Sequence, residues 1–138
     1  MRSILPRILA CAALALPITV AAAPQSAPPP WAGVWKNTNN TVHIRAAPCG
    51  DGMCGTVVWA NEQTKKDVAG KGGNIIGMQI FRNFEPAGDQ QWKGKVYVPD
   101  VGITISGKIT MADRNNLVAT GCAFLGFGCQ TRHWQRIS

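Results

Sequence analysis

Two closely spaced pairs of cysteines are the residues best placed for chemistry. Cys49 and Cys54 enclose GDGM, and Cys122 and Cys129 enclose AFLGFG. Zinc ribbons and thiol–disulfide oxidoreductases usually have two-residue spacers, and neither pair has a neighbouring histidine or an evident helix start. The glycine-containing spacers favour a disulfide across the strand ends of each hairpin, although these four cysteines allow three pairings. The fifth, Cys11, lies in the amino-terminal segment.

Residues for acid–base chemistry are few and separated. His43 and His133 lie in segments with strand character, where a lone histidine is most often a surface residue. The acidic residues all lie in predicted loops or turns, where Asp commonly bonds to the local backbone. No serine-hydrolase, P-loop, zinc-protease or paired-carboxylate motif is present. We therefore expect no catalytic residue, no metal site and no cofactor, and we predict that the protein is not an enzyme.

The amino terminus has the layout of a secretory signal peptide. Arg2 and Arg7 precede an apolar stretch of about thirteen residues, which is too short to span a bilayer, and small residues follow at 21–23. We predict a signal peptide over residues 1–22, with no transmembrane segment in the mature chain. The protein is then periplasmic or secreted, where cysteines form disulfides.

The mature chain fits one domain of modest size. Residues 23–30 form a proline-rich tether, and residues 31–138 form the domain. Removal of Arg2 and Arg7 leaves 12 basic and 7 acidic residues, a net charge of +5. The basic residues are scattered, which favours solubility over binding to anionic surfaces, and no nucleic-acid partner is expected after export.

The domain is predicted to be all-β. Short segments rich in Val, Ile, Thr and aromatic residues alternate apolar and polar positions between Gly, Asn, Asp and Pro clusters. Strands are predicted at 33–37, 41–47, 54–60, 75–84, 91–98, 103–111, 117–123 and 130–137. Residues 61–73 are predicted to be a long polar loop, and no helix is expected. Eight strands joined mostly by short turns favour an up-and-down antiparallel barrel over a two-sheet sandwich.

Residues 31–138 resemble a bacterial family of exported small proteins, domain of unknown function family 2147. The resemblance is carried by GVW at 33–35, the CGDGMCG turn, Asp67, IIGMQI, KVYVPDVG, GKITM and GCAFLGFGCQTRHWQRI. It covers nearly all of the mature chain.

A first-strand G-x-W and a last-strand arginine are also similar to the lipocalin and wider calycin pattern. This similarity implies a calycin-like barrel in which Gly33, Trp35 and Arg136 close one end, the arginine packing over the indole ring.

The remaining hypotheses concern binding. An eight-stranded barrel can hold one small ligand, and aromatic bodies with polar tips suit an apolar or amphiphilic molecule. The ligand-binding candidates are Trp59, Met78, Trp92, Tyr97 and Trp134. Each of them is also an ordinary core candidate.

The second stapled turn carries an apolar tip, formed by Phe124, Leu125 and Phe127. It is predicted either to fold inward as a plug or to contact a partner protein or lipid. The alternative to ligand binding is therefore a protein-binding module, such as an inhibitor of a periplasmic or foreign hydrolase. The sequence does not determine the oligomeric state.

Overall fold

The protein is a closed antiparallel barrel of eight strands, as the alternation predicts. The computed structural model describes residues 15–124 and 127–138. Each strand pairs with the next one along the chain, and β1 also pairs with β8. The elements are β1 Gly33–Asn37, β2 Val42–Cys49, β3 Gly52–Ala60, α1 Glu62–Ala69, β4 Gln79–Pro86, β5 Gln91–Val98, β6 Ile103–Asp113, β7 Asn116–Phe124 and β8 Phe127–Arg136.

Because the strands follow one another in chain order, each connection between strands lies at one of the two ends of the barrel. Successive antiparallel strands turn alternately at opposite ends. We call the first the packed end; it carries the connections 50–51, 87–90 and 114–115. We call the other the open end; it carries the connections 38–41, 61–78 and 99–102 and the β7–β8 hairpin.

The core fills the packed end and thins out toward the open end. Strand β6 shows the change, because Ile103, Ile105, Ile109 and Met111 share one face of it. Ile109 is fully buried, whereas Ile103 is 47% exposed. The same inward-facing row of side chains therefore belongs to a packed core at one end and to an open space at the other.

Both predicted disulfides are present, and they staple opposite ends of the barrel. Cys49–Cys54 spans the β2–β3 turn at the packed end, with Cα atoms 5.7 Å apart. Cys122–Cys129 joins residues directly opposite each other on β7 and β8 at the open end, with Cα atoms 4.0 Å apart. Each bridge fixes the register of one hairpin near its turn.

The prediction of a loop without a helix over residues 61–73 is wrong, because α1 occupies Glu62–Ala69. Asn61 caps the helix by accepting a 2.8 Å hydrogen bond from the backbone N–H of Thr64. Val68 is the buried residue of α1. A short polar helix anchored by one apolar side chain has no apolar stripe, so periodicity does not detect it.

Strand β4 begins later than predicted, at Gln79 instead of residue 75. Gly77 adopts φ 83° in a turn that precedes the strand. Ile75 is nevertheless buried, so its hydrophobicity reflects core packing outside a strand. Within the described residues, no helix combines the length and apolar character needed to cross a membrane.

Candidate functional site

A cavity of about 670 Å³ lies at the open end of the barrel. Its wall comes from the inner faces of the strands, and its rim comes from α1 and the β5–β6 loop. The apolar lining residues are Val42, Val57, Ile75, Ile80, Phe81, Val96, Val98, Pro99, Val101, Ile103, Ile105, Ala119, Ala123 and Trp134. The volume and the apolar wall are typical of a site for a small organic molecule.

Small residues on β7 and β8 leave the space for this cavity. The inward-facing positions Ala119, Gly121 and Ala123 on β7 all line it, and Gly128 on β8 does so as well. A Cβ atom added to Gly121 would lie 2.7 Å from Cδ1 of Ile105, another lining residue. Larger side chains at these positions would occupy the cavity.

Trp134 and Phe81 form an aromatic floor between the cavity and the core. Their rings meet edge to face, with centroids 5.5 Å apart, and both side chains are buried. Phe81 makes a second edge-to-face contact with Phe84 deeper in the core. The indole Nε1 of Trp134 is buried with no hydrogen-bond partner among the described residues.

One cation lies on the wall above this floor. The lining residues of β8 are Gly128, Gln130, Arg132 and Trp134, a period-two series that places their side chains on the inner face. Arg132 Nη2 donates to Oε1 of Gln130 at 2.6 Å, and Nη1 donates to the carbonyl oxygen of Thr131 at 3.2 Å. The cavity therefore has a polar guanidinium–amide pair on an otherwise largely apolar wall.

The rim carries two exposed carboxylates, Asp67 on α1 and Asp100 in the β5–β6 loop. Gln63 Nε2 donates to Oδ1 of Asp67 at 2.8 Å within the helix. Lys71 Nζ donates to the backbone oxygen of Asp100, which joins the segment after α1 to the β5–β6 loop. A smaller recess of about 260 Å³ lies between these two rim elements.

The structure brings together two of the five predicted ligand-binding residues. Tyr97 and Trp134 line the main cavity, and the guanidinium of Arg82 lies 4.6 Å from the centre of the Tyr97 ring. Met78 lines the smaller recess instead.

The other two candidates lie elsewhere. Trp92 packs edge to face against Trp31, with centroids 6.4 Å apart. Trp59 is 39% exposed and stacks on His43, with centroids 4.3 Å apart.

Neither histidine forms part of the cavity lining. His43 Nε2 lies 2.7 Å from Oδ1 of Asn40. Partial burial, and then the positive charge of Lys36, lower the pKa of His43 below its usual value. Within residues 15–124 and 127–138, no three His, Cys, Asp or Glu side chains cluster in the way a metal ion requires.

The predicted apolar tip is only partly described. Leu125 lies outside the described residues, as do the side chains of Phe124 and Phe127. Residues 1–14 of the predicted signal peptide lie outside them too. Both hypotheses stay predictions.

The packed end brings together Gly33, Trp35 and Arg136. The Arg136 guanidinium lies 4.2 Å from the centre of the Trp35 ring, and Trp35 is fully buried. Trp35 Nε1 donates to the carbonyl oxygen of Trp31 at 3.0 Å. A Cβ atom at Gly33 would overlap the carbonyl oxygen of Ser138 and lie 2.7 Å from Arg136 Nη1.

Sequence reasoning missed the polar pair Arg132 and Gln130. The signal was available, because Trp134 and Arg136 were already assigned to the barrel interior or its end. Counting back from them in steps of two along a strand reaches Arg132 and Gln130. The position of Asp67 at the rim could not be predicted, because the sequence analysis places this residue in a loop and not in α1.

Comparison with solved structures supports the barrel architecture. The chain is similar to a structure described as "Protein HP1028 from the human pathogen Helicobacter pylori belongs to the lipocalin family", with a TM-score of 0.62 and 14% sequence identity. The alignment covers 78% of this chain and 82% of that chain. At this identity the likeness establishes a shared fold. No match was found among curated protein sequences.

The sequence also matches a family model over nearly the whole barrel. That family is described as "Uncharacterized protein conserved in bacteria (DUF2147)", and the match extends over residues 33–136, from the first residue of β1 to the last of β8. The chain belongs to this bacterial family, and its fold is a lipocalin-like eight-stranded barrel.

Proposed function

We propose that the protein is a non-enzymatic binding protein that holds one small apolar or amphiphilic molecule in the open-end cavity. The observation that carries this proposal is the contrast between the two ends of the barrel. The core fills the packed end, whereas the inward-facing Ile103 and Ile105 at the open end line a space of about 670 Å³.

The lining of the cavity fits such a ligand. Burial of apolar surface against residues such as Phe81, Trp134 and Ile105 supplies most of the binding free energy, at about 25 cal/mol per Å². Gln130 and Arg132 supply polar groups that orient the ligand.

The contacts at the packed end support a closure role for Gly33, Trp35 and Arg136. The guanidinium covers the Trp35 ring and donates to the carbonyl oxygens of Pro30, Ala32 and Arg114. These bonds tie the amino-terminal segment and the β6–β7 turn across the end of the barrel. A ligand would then enter and leave through the open end.

The disulfides support an oxidising compartment, because such bonds persist mainly in exported proteins. Together with the basic and apolar amino-terminal segment, they favour the periplasm or secretion. The ligand is then a molecule of the cell envelope or its surroundings.

Titration with N-phenyl-1-naphthylamine tests the proposal, because this uncharged fluorophore brightens in apolar surroundings. The wild-type mature chain should bind it at one saturable site. Gly121→Leu should weaken binding, since the new side chain occupies part of the cavity at the cost of a shift in the flexible end of Ile105.

Thr120→Leu is the matched control. It adds a leucine to the same strand one residue away, on the outer face, where Thr120 Oγ1 lies 3.0 Å from Thr131 Oγ1. Thr120→Leu should bind as the wild type does. Absence of saturable binding to the wild type, or equal binding by Gly121→Leu in a folded state, would refute the cavity as the binding site.

A further inference from the structure

We propose that the cavity selects single-chain amphiphiles with an oxyanion head, carboxylate or phosphate, which Arg132 and Gln130 bind while the tail lies on the aromatic floor. This inference rests on the proposed function and names its ligand class. Arg132 has an unusual placement, because it is an exposed arginine on the inner face of a barrel strand at the mouth of an apolar cavity.

The guanidinium has the donors that an oxyanion needs. Two of the five N–H groups of Arg132 donate hydrogen bonds, one to Gln130 Oε1 and one to the Thr131 carbonyl oxygen. No carboxylate in the described part of the chain forms an ion pair with Arg132, since the ion pair found there joins Lys65 to Glu62. The fork geometry of the remaining donors suits carboxylate and phosphate oxygens.

Gln130 adds a second donor and fixes the direction of the site. Its Oε1 accepts from Arg132, so its Nε2 group can donate to the same head group. Gln130 is one inward-facing position nearer the rim than Arg132, whereas Trp134 is one position nearer the core. A head group on this pair therefore lies toward the mouth, and the tail extends toward Trp134 and Phe81.

The rim acids act in the opposite direction, because their negative charges repel an anionic head group. Asp67 and Asp100 lie on α1 and the β5–β6 loop, and both are exposed. Interactions of exposed charges are weakened by water and salt. Arg132 and Gln130 are exposed as well, so water and salt also weaken the long-range attraction of the guanidinium. Direct charge-assisted hydrogen bonds to Arg132 are stronger than the screened repulsion, and an oxyanion is favoured.

Competition against bound N-phenyl-1-naphthylamine tests the proposal at neutral pH and below micelle-forming concentrations. The competitors share a twelve-carbon chain and differ in head group: dodecanoate, dodecyl phosphate, dodecanol and dodecyltrimethylammonium. The wild type should bind the two anions about tenfold more tightly than dodecanol or the cation. The ratio between dodecanoate and dodecyl phosphate distinguishes a fatty-acid from a phospholipid type of head.

Two variants of Arg132 and one control locate the effect. Arg132→Gln should reduce the affinity for the anions to that for dodecanol while leaving dodecanol unchanged, and Arg132→Lys should retain part of the preference. Arg45→Gln is the control, because Arg45 is exposed and lies on the outer face of β2 between the buried Ile44 and Ala46. It should retain the full preference.

The results separate this inference from the function on which it rests. Equal affinity for dodecanoate and dodecanol, tighter binding of the cation, or an unchanged preference in folded Arg132→Gln would overturn the anion site. The cavity would still bind the fluorophore in those cases. Failure of the wild type to bind the fluorophore or any twelve-carbon compound would overturn the proposed function, and the anion site with it.

Discussion

Replacement of Arg136 by alanine should destabilise the barrel by about 2–4 kcal/mol, because this side chain contacts the Trp35 ring, the β6–β7 turn and the segment before β1 at the packed end. Its guanidinium stacks 4.2 Å from the centre of the buried Trp35 ring, a contact worth about 1 kcal/mol in a partly desolvated site. Nε donates to Arg114 O at 2.6 Å, and Nη1 donates to Ala32 O at 2.8 Å. Each of these bonds contributes about 0.5–1.5 kcal/mol net.

Urea unfolding of the mature chain with its disulfides intact measures this change. Arg136→Ala should lower the transition midpoint with no large change in slope. Arg136→Lys should recover less than half of the loss, because an ammonium group cannot bond several carbonyl oxygens and stack on the indole at once. Arg45→Ala, on the outer face of β2, should change the free energy of unfolding by less than about 0.5 kcal/mol.

A loss below about 0.5 kcal/mol for Arg136→Ala would refute the reasoning. It would mean that Trp35 and the terminal segments hold the packed end without the arginine. A full recovery by Arg136→Lys would show instead that charge alone matters, and the stacking argument would fail.

Three other predictions follow from the geometry. Gly33→Ala should lower the free energy of unfolding in a urea melt by about 1–3 kcal/mol, because φ at Gly33 is 142° and a Cβ would overlap Ser138 O. Gly72→Ala is the control and should lower it less, because Gly72 has φ 82° but open space around it; equal losses would show that the contact with Ser138 does not matter. Thiol labelling of the unreduced, denatured mature chain should find no free cysteine, and any labelled thiol would contradict the two disulfides. Proton NMR should give His43 a pKa below about 6.5 in the folded protein, and this pKa should rise in Lys36→Gln. Because the folded pKa is the lower one, the free energy of unfolding should fall as the pH drops through about 6.5 toward the native pKa of His43. A native pKa at or above about 6.5 would contradict this.

The sequence predicts the barrel well because period-two alternation and turn residues are local signals. ITISGKITM places Ile109 in the core directly from its spacing, and the two cysteine turns predict both disulfides. Helix α1 escapes this reasoning because its cap at Asn61 is a local signal without an apolar stripe to support it.

The candidate site was harder to predict than the fold. Aromatic residues can be buried anywhere in a fold, so residue type alone does not distinguish Trp59 on the outer surface from Trp134 on the cavity floor. Distinguishing them requires the face and the end of each strand. The bulge between His43 and Ile44 shifts the β2–β3 pairing next to Trp59, and alternation cannot be followed through such a shift.

The most direct test of the binding cavity is nitrogen–proton correlation NMR of the indole groups during titration with dodecanoate. The sequence has five tryptophans, all within residues 31–138, and each gives its own Nε1–H signal. We expect the Trp134 signal to shift and to saturate with the ligand, whereas the signals of Trp35 at the packed end and Trp59 on the outer surface should remain in place. A shift confined to Trp59, or no change at Trp134 at saturating dodecanoate, would contradict it.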